Sequence, residues 1–222
     1  MPTLKPKFIT FDCYGTLIYF EMAPAAKRVF KDRVAEDKMS AFCADFSSFR
    51  LDEVLGPWKP YLEVVSNAVE RTCKLWGMPF RREDAQAIYD EIPSWNPHPD
   101  VPAPLARVAK EFPLVILSNS MTNLIPHSVA KLGAPFHAAY TAQEAQAYKP
   151  RMQAFEYMLG KLGCGPGDIL HVSSSFRYDL MTAHDMHFAG RCWVNRAHEP
   201  RCADYATHEI PDISGLPGLL GL

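Results

Sequence analysis

The chain has 222 residues, 48% of them hydrophobic, so it exceeds one average domain and can bury a sizeable core. Its formal net charge is −2 and no cluster of five or more basic residues occurs, which argues against nucleic acid or an anionic membrane surface as the main partner. No leader-like segment opens the chain and no apolar run approaches the length of a membrane span. We therefore expect a cytoplasmic protein that acts on a small molecule.

The cysteines are scattered along the chain, with no C-x-x-C pair and no histidines at the spacing of zinc ligands. This spacing predicts neither a zinc site nor a disulfide framework. We expect reduced thiols at all six positions, which are Cys13, Cys43, Cys73, Cys164, Cys192 and Cys202.

The first predicted strand runs from Phe8 to Phe11 and is mostly apolar, the pattern of a strand buried on both faces of a parallel sheet. Asp12 follows at its carboxyl end, and open parallel sheets bind ligands beyond those ends. An Asp that only opens a turn before Gly15 is the simpler interpretation of an isolated D-x-x-G.

A helical block follows this strand. Apolar residues recur at helical spacing over residues 24–38, 41–49, 61–75 and 82–92. The prolines at positions 93, 97 and 99 indicate a stiff linker. We predict a helical cap over residues 19–98, inserted into a core made of residues 1–18 and 99–222.

Helices and strands alternate after the cap. Predicted helices cover residues 102–111, 123–132, 152–162 and 178–187, and predicted strands cover 114–117, 138–141, 169–172, 192–194 and a weaker segment near Ala206. Such alternation requires a parallel sheet with right-handed crossovers. The predicted fold is therefore α/β, a Rossmann-like parallel sheet core with an inserted helical cap.

Several segments match the motifs of a known superfamily. The hexapeptide from Asp12 to Leu17, D-C-Y-G-T-L, resembles the first motif of the haloacid dehalogenase superfamily, whose first Asp is a nucleophile. Ser118-Asn119, the Y-K-P around Lys149 and the loop 173–179 resemble its second, third and fourth motifs. The D-x-Y-G-T-L form and the C-W-V-N-R at 192–196 resemble the type II, L-2-haloacid dehalogenases in particular.

Two positions distinguish the chemistries found in that superfamily. Tyr14 and Ser174 stand where its phosphatases carry acids that protonate the leaving group or bind magnesium. A phenol with a pKa near 10 replaces such an acid poorly, whereas a halide leaves as a stable anion and needs no proton. Magnesium prefers several oxygen ligands with charge among them. We therefore expect neither a metal nor a cofactor.

The resemblance implies a hydrolytic dehalogenase that converts a short 2-haloalkanoic acid to the 2-hydroxy acid through an aspartyl ester on Asp12. Lys149 would lie within about 4–6 Å of Asp12, lower its pKa by roughly one to three units and keep it ionised. The implied catalytic residues are Asp12, Thr16, Lys149, Ser174, Ser175 and Asp179. The implied substrate-binding residues are Cys13, Tyr14, Ser118 and Asn119.

The cap lacks the R-Q-x-x-x-E-type helix in which members of the superfamily place a halide-binding arginine, so Arg28, Arg33 and Arg50 remain unassigned candidates. A phosphatase of the same superfamily and a non-catalytic binding protein on this fold are the alternative functions. Joint retention of Asp12, Ser118, Lys149 and Asp179 at strand ends argues against a purely structural scaffold. The resemblance also suggests a homodimer.

Overall fold

A computed structural model describes residues 5–222. The chain divides into two compact units. One comprises residues 5–19 together with Asn96–Leu222, and the other is Phe20–Trp95. The predicted cap boundaries lay at residues 19 and 98.

Within residues 5–222, the first unit contains six parallel strands in one sheet of order β3-β2-β1-β4-β5-β6. The strands are β1 (Phe8–Phe11), β2 (Leu114–Ser118), β3 (Ala138–Thr141), β4 (Ile169–Ser173), β5 (Gly190–Val194) and β6 (His208–Ile210). Every residue of β2 and β4 is buried, as expected of central parallel strands covered on both faces. The predicted α/β fold, a Rossmann-like parallel sheet with a helical insert, is confirmed.

Helices connect the strands. In chain order they are α5 (Pro102–Val108), α6 (Ile125–Val129), α7 (Ala142–Ala145), α8 (Met152–Leu162), α9 (Met181–Asp185) and α10 (Leu216–Leu219), with the four helices of the second unit preceding them. The helix predicted over 178–187 is wrong in its first turn, where a π-helical turn, Phe176–Leu180, precedes α9. The π-helical turn begins at the Ser175 hydroxyl, which accepts a hydrogen bond from the Tyr178 N–H.

The second unit is helical, with α1 (Met22–Phe30), α2 (Glu36–Leu55), α3 (Tyr61–Leu75) and α4 (Arg82–Asp90). The single helix predicted over 24–38 is wrong, because the chain turns after Phe30 and is extended at Ala35. Glu36 and Asp37 occupy the first turn of α2, where negative charge stabilises a helix start. The aromatic rings of Phe30 and Phe42, 4.6 Å apart, pack α1 on α2.

All six cysteines are free thiols, as predicted. Of the helices within residues 5–222, none combines the length and apolar content that crossing a membrane would require.

Candidate active site

The site is built where β2, β1 and β4 end side by side. The backbone N–H of Asp12, directly after β1, donates to the carbonyl of Val172 in β4 at 3.1 Å. Ser118 is the last residue of β2 and Ser173 is the last residue of β4. Because neighbouring parallel strands end at one edge of the sheet, these residues lie together at the edge where such sheets bind ligands.

Lys149 joins two carboxylates at this edge. Its ammonium nitrogen Nζ lies 2.9 Å from Asp12 Oδ1 and 2.7 Å from Asp179 Oδ1, and it donates to the carbonyl of Leu117 at 2.8 Å. The Lys149 side chain is 1% exposed, and those of Asp12 and Asp179 are 11% and 0% exposed. The structure therefore brings together three predicted catalytic residues that are far apart in the chain.

The surroundings of Asp12, Asp179 and Lys149 shift the pKa values of these residues in different directions. Burial is the largest influence on the pKa of Asp12 and raises it; the ammonium of Lys149 lowers it, the charge of Asp179 raises it, and the net shift is upward. Burial also acts on Asp179, but Lys149 and His171 outweigh it and the pKa of Asp179 is lowered. Burial opposes the charge on Lys149, yet the two carboxylates raise its pKa. Lys149 lowers the pKa of Asp12, as predicted, but burial and the negative charge of Asp179 together outweigh this effect.

Asp179 has further hydrogen-bond partners. His171 Nε2 lies 2.9 Å from Asp179 Oδ1, and the Ser173 hydroxyl donates to Oδ2 at 3.0 Å. The other ring nitrogen of His171 lies 2.7 Å from the hydroxyl of Thr10. His171 was not among the predicted site residues, although a histidine in the otherwise apolar strand I-L-H-V was the available signal. These contacts hold the Asp179 carboxylate in a single orientation.

Thr16 orients the second oxygen of Asp12. Its hydroxyl donates to Asp12 Oδ2 at 2.7 Å and accepts the backbone N–H of Ser174 at 2.9 Å. The hydroxyl oxygens of Thr16 and Ser174 are 3.0 Å apart. Ser174 thus reaches the Asp12 carboxylate through Thr16.

Ser175 is directed elsewhere. Its hydroxyl donates to Glu199 Oε1 at 2.7 Å, and the backbone N–H of Phe176 donates to Glu199 Oε2 at 2.8 Å. The structure therefore places the Ser175 hydroxyl on Glu199 rather than on Asp12 or Asp179, which differs from its predicted role. Glu199 had no local signal in the sequence, because it follows β5 in an irregular segment.

The predicted substrate-binding residues differ in what they contact. The buried hydroxyl of Ser118 has no hydrogen-bond partner among residues 5–222. The Asn119 carboxamide donates to the Lys149 carbonyl at 3.0 Å and accepts the Lys149 N–H at 2.7 Å, so it holds the lysine backbone. The Tyr14 hydroxyl accepts a hydrogen bond from Ser128 at 3.1 Å. Cys13 is fully buried, and burial raises the pKa of its thiol.

The donor set does not fit a magnesium ion. Tyr14 and Ser174 bring neutral hydroxyl groups to the positions where acids would be required, and Lys149 already donates to one oxygen of each remaining carboxylate. Within residues 5–222, His, Cys, Asp and Glu form no group of three or more arranged to hold a metal ion.

The candidate cap arginines have contacts within the helical unit. Arg28 pairs with Glu91, and Arg33 pairs with Asp84. The guanidinium of Arg50 lies 4.7 Å from the centre of the Phe20 ring. None of these contacts assigns a role at the site.

Comparisons with known proteins identify the family of this chain. The family model for haloacid dehalogenase-like hydrolases matches residues 6–187. Haloacetate dehalogenase H-2 of Moraxella sp. (strain B) is 26% identical over 196 residues, which cover 86% of this chain and 87% of that protein.

Solved structures share the fold. The L-2-haloacid dehalogenase of Xanthobacter autotrophicus with chloropropionic acid covalently bound superimposes with a TM-score of 0.79 at 21% identity, covering 97% of this chain and 98% of that one. The putative HAD-hydrolase YfnB of Bacillus subtilis bound to magnesium gives a TM-score of 0.84 at 16% identity, covering 99% and 100%. At these identities the likeness shows the fold alone, but the family model extends over most of the sequence. The chain therefore belongs to the haloacid dehalogenase-like hydrolase family.

Proposed function

We propose that this hydrolase removes halide from a short 2-haloalkanoic acid and forms the 2-hydroxy acid. The observation that carries the proposal is the environment of Asp12. Its carboxylate is nearly buried and accepts hydrogen bonds from the Thr16 hydroxyl and the Lys149 ammonium. Tyr14, which stands two residues later, offers no carboxylic acid to protonate a leaving oxygen. This combination suits a leaving group that departs as a stable anion.

In the first step an oxygen of Asp12 attacks the halogen-bearing carbon in line. The new carbon–oxygen bond gives an ester, and the halide leaves with the electron pair of the carbon–halogen bond. Thr16 and Lys149 orient the two oxygens of the attacking carboxylate, which reduces the entropy lost in reaching the reactive geometry.

In the second step water adds to the carbonyl carbon of the Asp12 ester and transfers a proton to Asp179. The acyl–oxygen bond then breaks, and the departing oxygen takes the proton from Asp179 to form the hydroxy acid. The proton left on the Asp12 carboxyl passes to solvent, which restores both carboxylates. The ammonium of Lys149 lies where negative charge gathers on the Asp12 oxygens as water adds. The lowered pKa of Asp179 keeps it ionised and able to accept the proton.

The substrate carboxylate has a candidate partner in Ser118. Its hydroxyl is buried at the end of β2 and has no hydrogen-bond partner among the described residues, so it has an unused donor. The haloacetate dehalogenase relative and the chloropropionic acid bound in the Xanthobacter structure support an acid of two or three carbons.

Halide release from chloroacetate and from 2-chloropropionate tests the reaction, with p-nitrophenyl phosphate and magnesium as the parallel assay. We expect halide release by the parent and almost none by Asp12→Asn, because an amide is a weak nucleophile. Asp185→Asn is the matched control, since its side chain is 58% exposed and contacts His184. Magnesium-dependent phosphate release without halide release would overturn the proposal in favour of a phosphatase.

The covalent step has its own test. With excess enzyme in ¹⁸O-water and 2-chloropropionate, a single turnover should place the label in the peptide containing Asp12 and leave the hydroxy acid unlabelled. A labelled hydroxy acid beside an unlabelled peptide would show that water attacks the substrate carbon directly.

A further inference from the structure

Arg196, two residues beyond β5, contacts the loop that carries Asp12. Its Nη2 donates to the backbone carbonyl of Thr16 at 2.9 Å, and its Nε donates to the same oxygen at 3.3 Å. The two residues are 180 positions apart in the chain. The carbonyl of Thr16 is therefore held by a charged group, which makes a stronger hydrogen bond than a neutral donor does.

The guanidinium of Arg196 is itself held by Asp100. Nη1 and Nη2 donate to the two carboxylate oxygens of Asp100 at 2.8 and 2.9 Å, a bidentate pair. Asp100 Oδ2 also accepts the backbone N–H of Ile213 at 2.8 Å. The Arg196 and Asp100 side chains are only 10% and 17% exposed, so solvent screens the pair little. The pair is a rigid support rather than a mobile surface contact.

Thr16 connects this support to the reacting carboxylate. The residue is fully buried, its carbonyl binds Arg196 and its hydroxyl donates to Asp12. Without the guanidinium, the Thr16–Leu17 peptide would keep only the hydrogen bond from its N–H to the Cys13 carbonyl, at 2.8 Å. We expect the peptide to be less fixed and the Thr16 hydroxyl to meet Asp12 Oδ2 in more than one geometry. A small displacement of an attacking group costs large factors in rate.

We propose that Arg196, fixed by Asp100, is a positioning residue that holds Thr16 so that its hydroxyl orients the nucleophilic carboxylate of Asp12. This inference rests on the proposed function for its effect on rate. Its structural part, the immobilisation of the first loop, can be measured without substrate.

Arg196→Lys is the informative variant, because lysine keeps the charge but lacks the planar fork that makes the bidentate pair with Asp100 and the two hydrogen bonds to the Thr16 carbonyl. Arg191→Lys is the matched control. Arg191 bridges the carbonyls of Phe188 and Tyr205 at 2.7 and 3.0 Å, but it lies near the amino end of β5, away from the site. Asp100→Asn removes the bidentate partner while Arg196 stays in place.

Two readouts apply to each variant. The first is hydrogen exchange at the N–H groups of Leu17, Ile18 and Ser174, which bind Cys13 or the Thr16 hydroxyl. The second is kcat and KM with 2-chloropropionate. In Arg196→Lys and Asp100→Asn we expect faster exchange at these amides and a kcat lowered by roughly tenfold to a hundredfold, with KM little changed. Arg191→Lys should leave both readouts at parental values.

The inference is overturned if Arg196→Lys and Asp100→Asn match Arg191→Lys in exchange at these amides. It is also overturned if exchange rises while kcat stays parental in an active enzyme. If the parent releases no halide, the proposed function fails, and faster exchange in the Arg196 and Asp100 variants alone would still support the positioning of Thr16. Should Arg196→Lys not fold, Asp100→Asn carries both measurements.

Discussion

Replacing Lys149 by methionine tests how the two carboxylates of the site coexist. Methionine has a similar length, so the change removes one positive charge and three hydrogen bonds, to Asp12, Asp179 and the Leu117 carbonyl. Removing one partner of a buried ion pair costs about 3–5 kcal/mol, because an uncompensated charge stays buried. We expect a loss of this size in the free energy of unfolding at pH 7, together with loss of halide release.

The loss should depend on pH. Without Lys149, repulsion and burial raise the folded-state pKa of at least one of the carboxylates of Asp12 and Asp179 above its unfolded value of about 3.9. A group with a raised folded pKa contributes stability that is fully present below the unfolded pKa and is lost as pH rises through the folded pKa. The variant should therefore recover stability between pH 7 and pH 5, by up to about 1.4 kcal/mol for each pH unit.

Urea denaturation followed by circular dichroism at pH 5 and pH 7 measures this effect. Lys7→Met is the control, since Lys7 pairs with Asp168 at 3.0 Å on the surface and should change the free energy of unfolding little at either pH. Adding Asp12→Asn to Lys149→Met should restore part of the loss, because one of the two facing charges is gone. An equal loss at both pH values, or no rescue by the second substitution, would refute the coupling of the two carboxylates through the lysine.

Three further predictions concern turnover. Burial raises the pKa of Asp12 above its ordinary value of 3.8, and only the ionised carboxylate attacks, so kcat/KM should fall as the pH decreases through a value above 3.8. A pH profile whose acid limb lies at or below pH 3.8 would contradict this prediction. Exhaustive chelation should leave halide release unchanged, because Tyr14 and Ser174 replace the acids that would hold magnesium; restoration of activity only by added magnesium would contradict it. Asp179→Asn should release about one halide per active site and then stop with an ester on Asp12. A burst assay measures the halide, and peptide mass spectrometry detects the ester. Full turnover by this variant would show that Asp179 is not needed for hydrolysis of the ester.

The helix bounds show how much of the secondary structure can be predicted from local sequence patterns. Tyr61–Leu75 and Met152–Leu162 have the predicted bounds, because each is a continuous amphipathic segment between helix-breaking residues. The prediction over residues 24–38 was wrong because apolar spacing continues across the turn between α1 and α2. There the extended backbone of Ala35 and the acidic start of α2 decide where the chain turns.

The order of strands and helices along the chain, the parallel sheet and the polar residues at the strand ends could all be predicted, since they depend on patterns within short segments. Which polar groups meet could not be predicted and was found only in the folded chain. It placed Lys149 between two carboxylates, turned Ser175 toward Glu199 and brought Arg196 to the carbonyl of Thr16. A hydrogen bond depends on the rotamer and loop position of both partners, and here these are set by packing between segments that are distant in the chain.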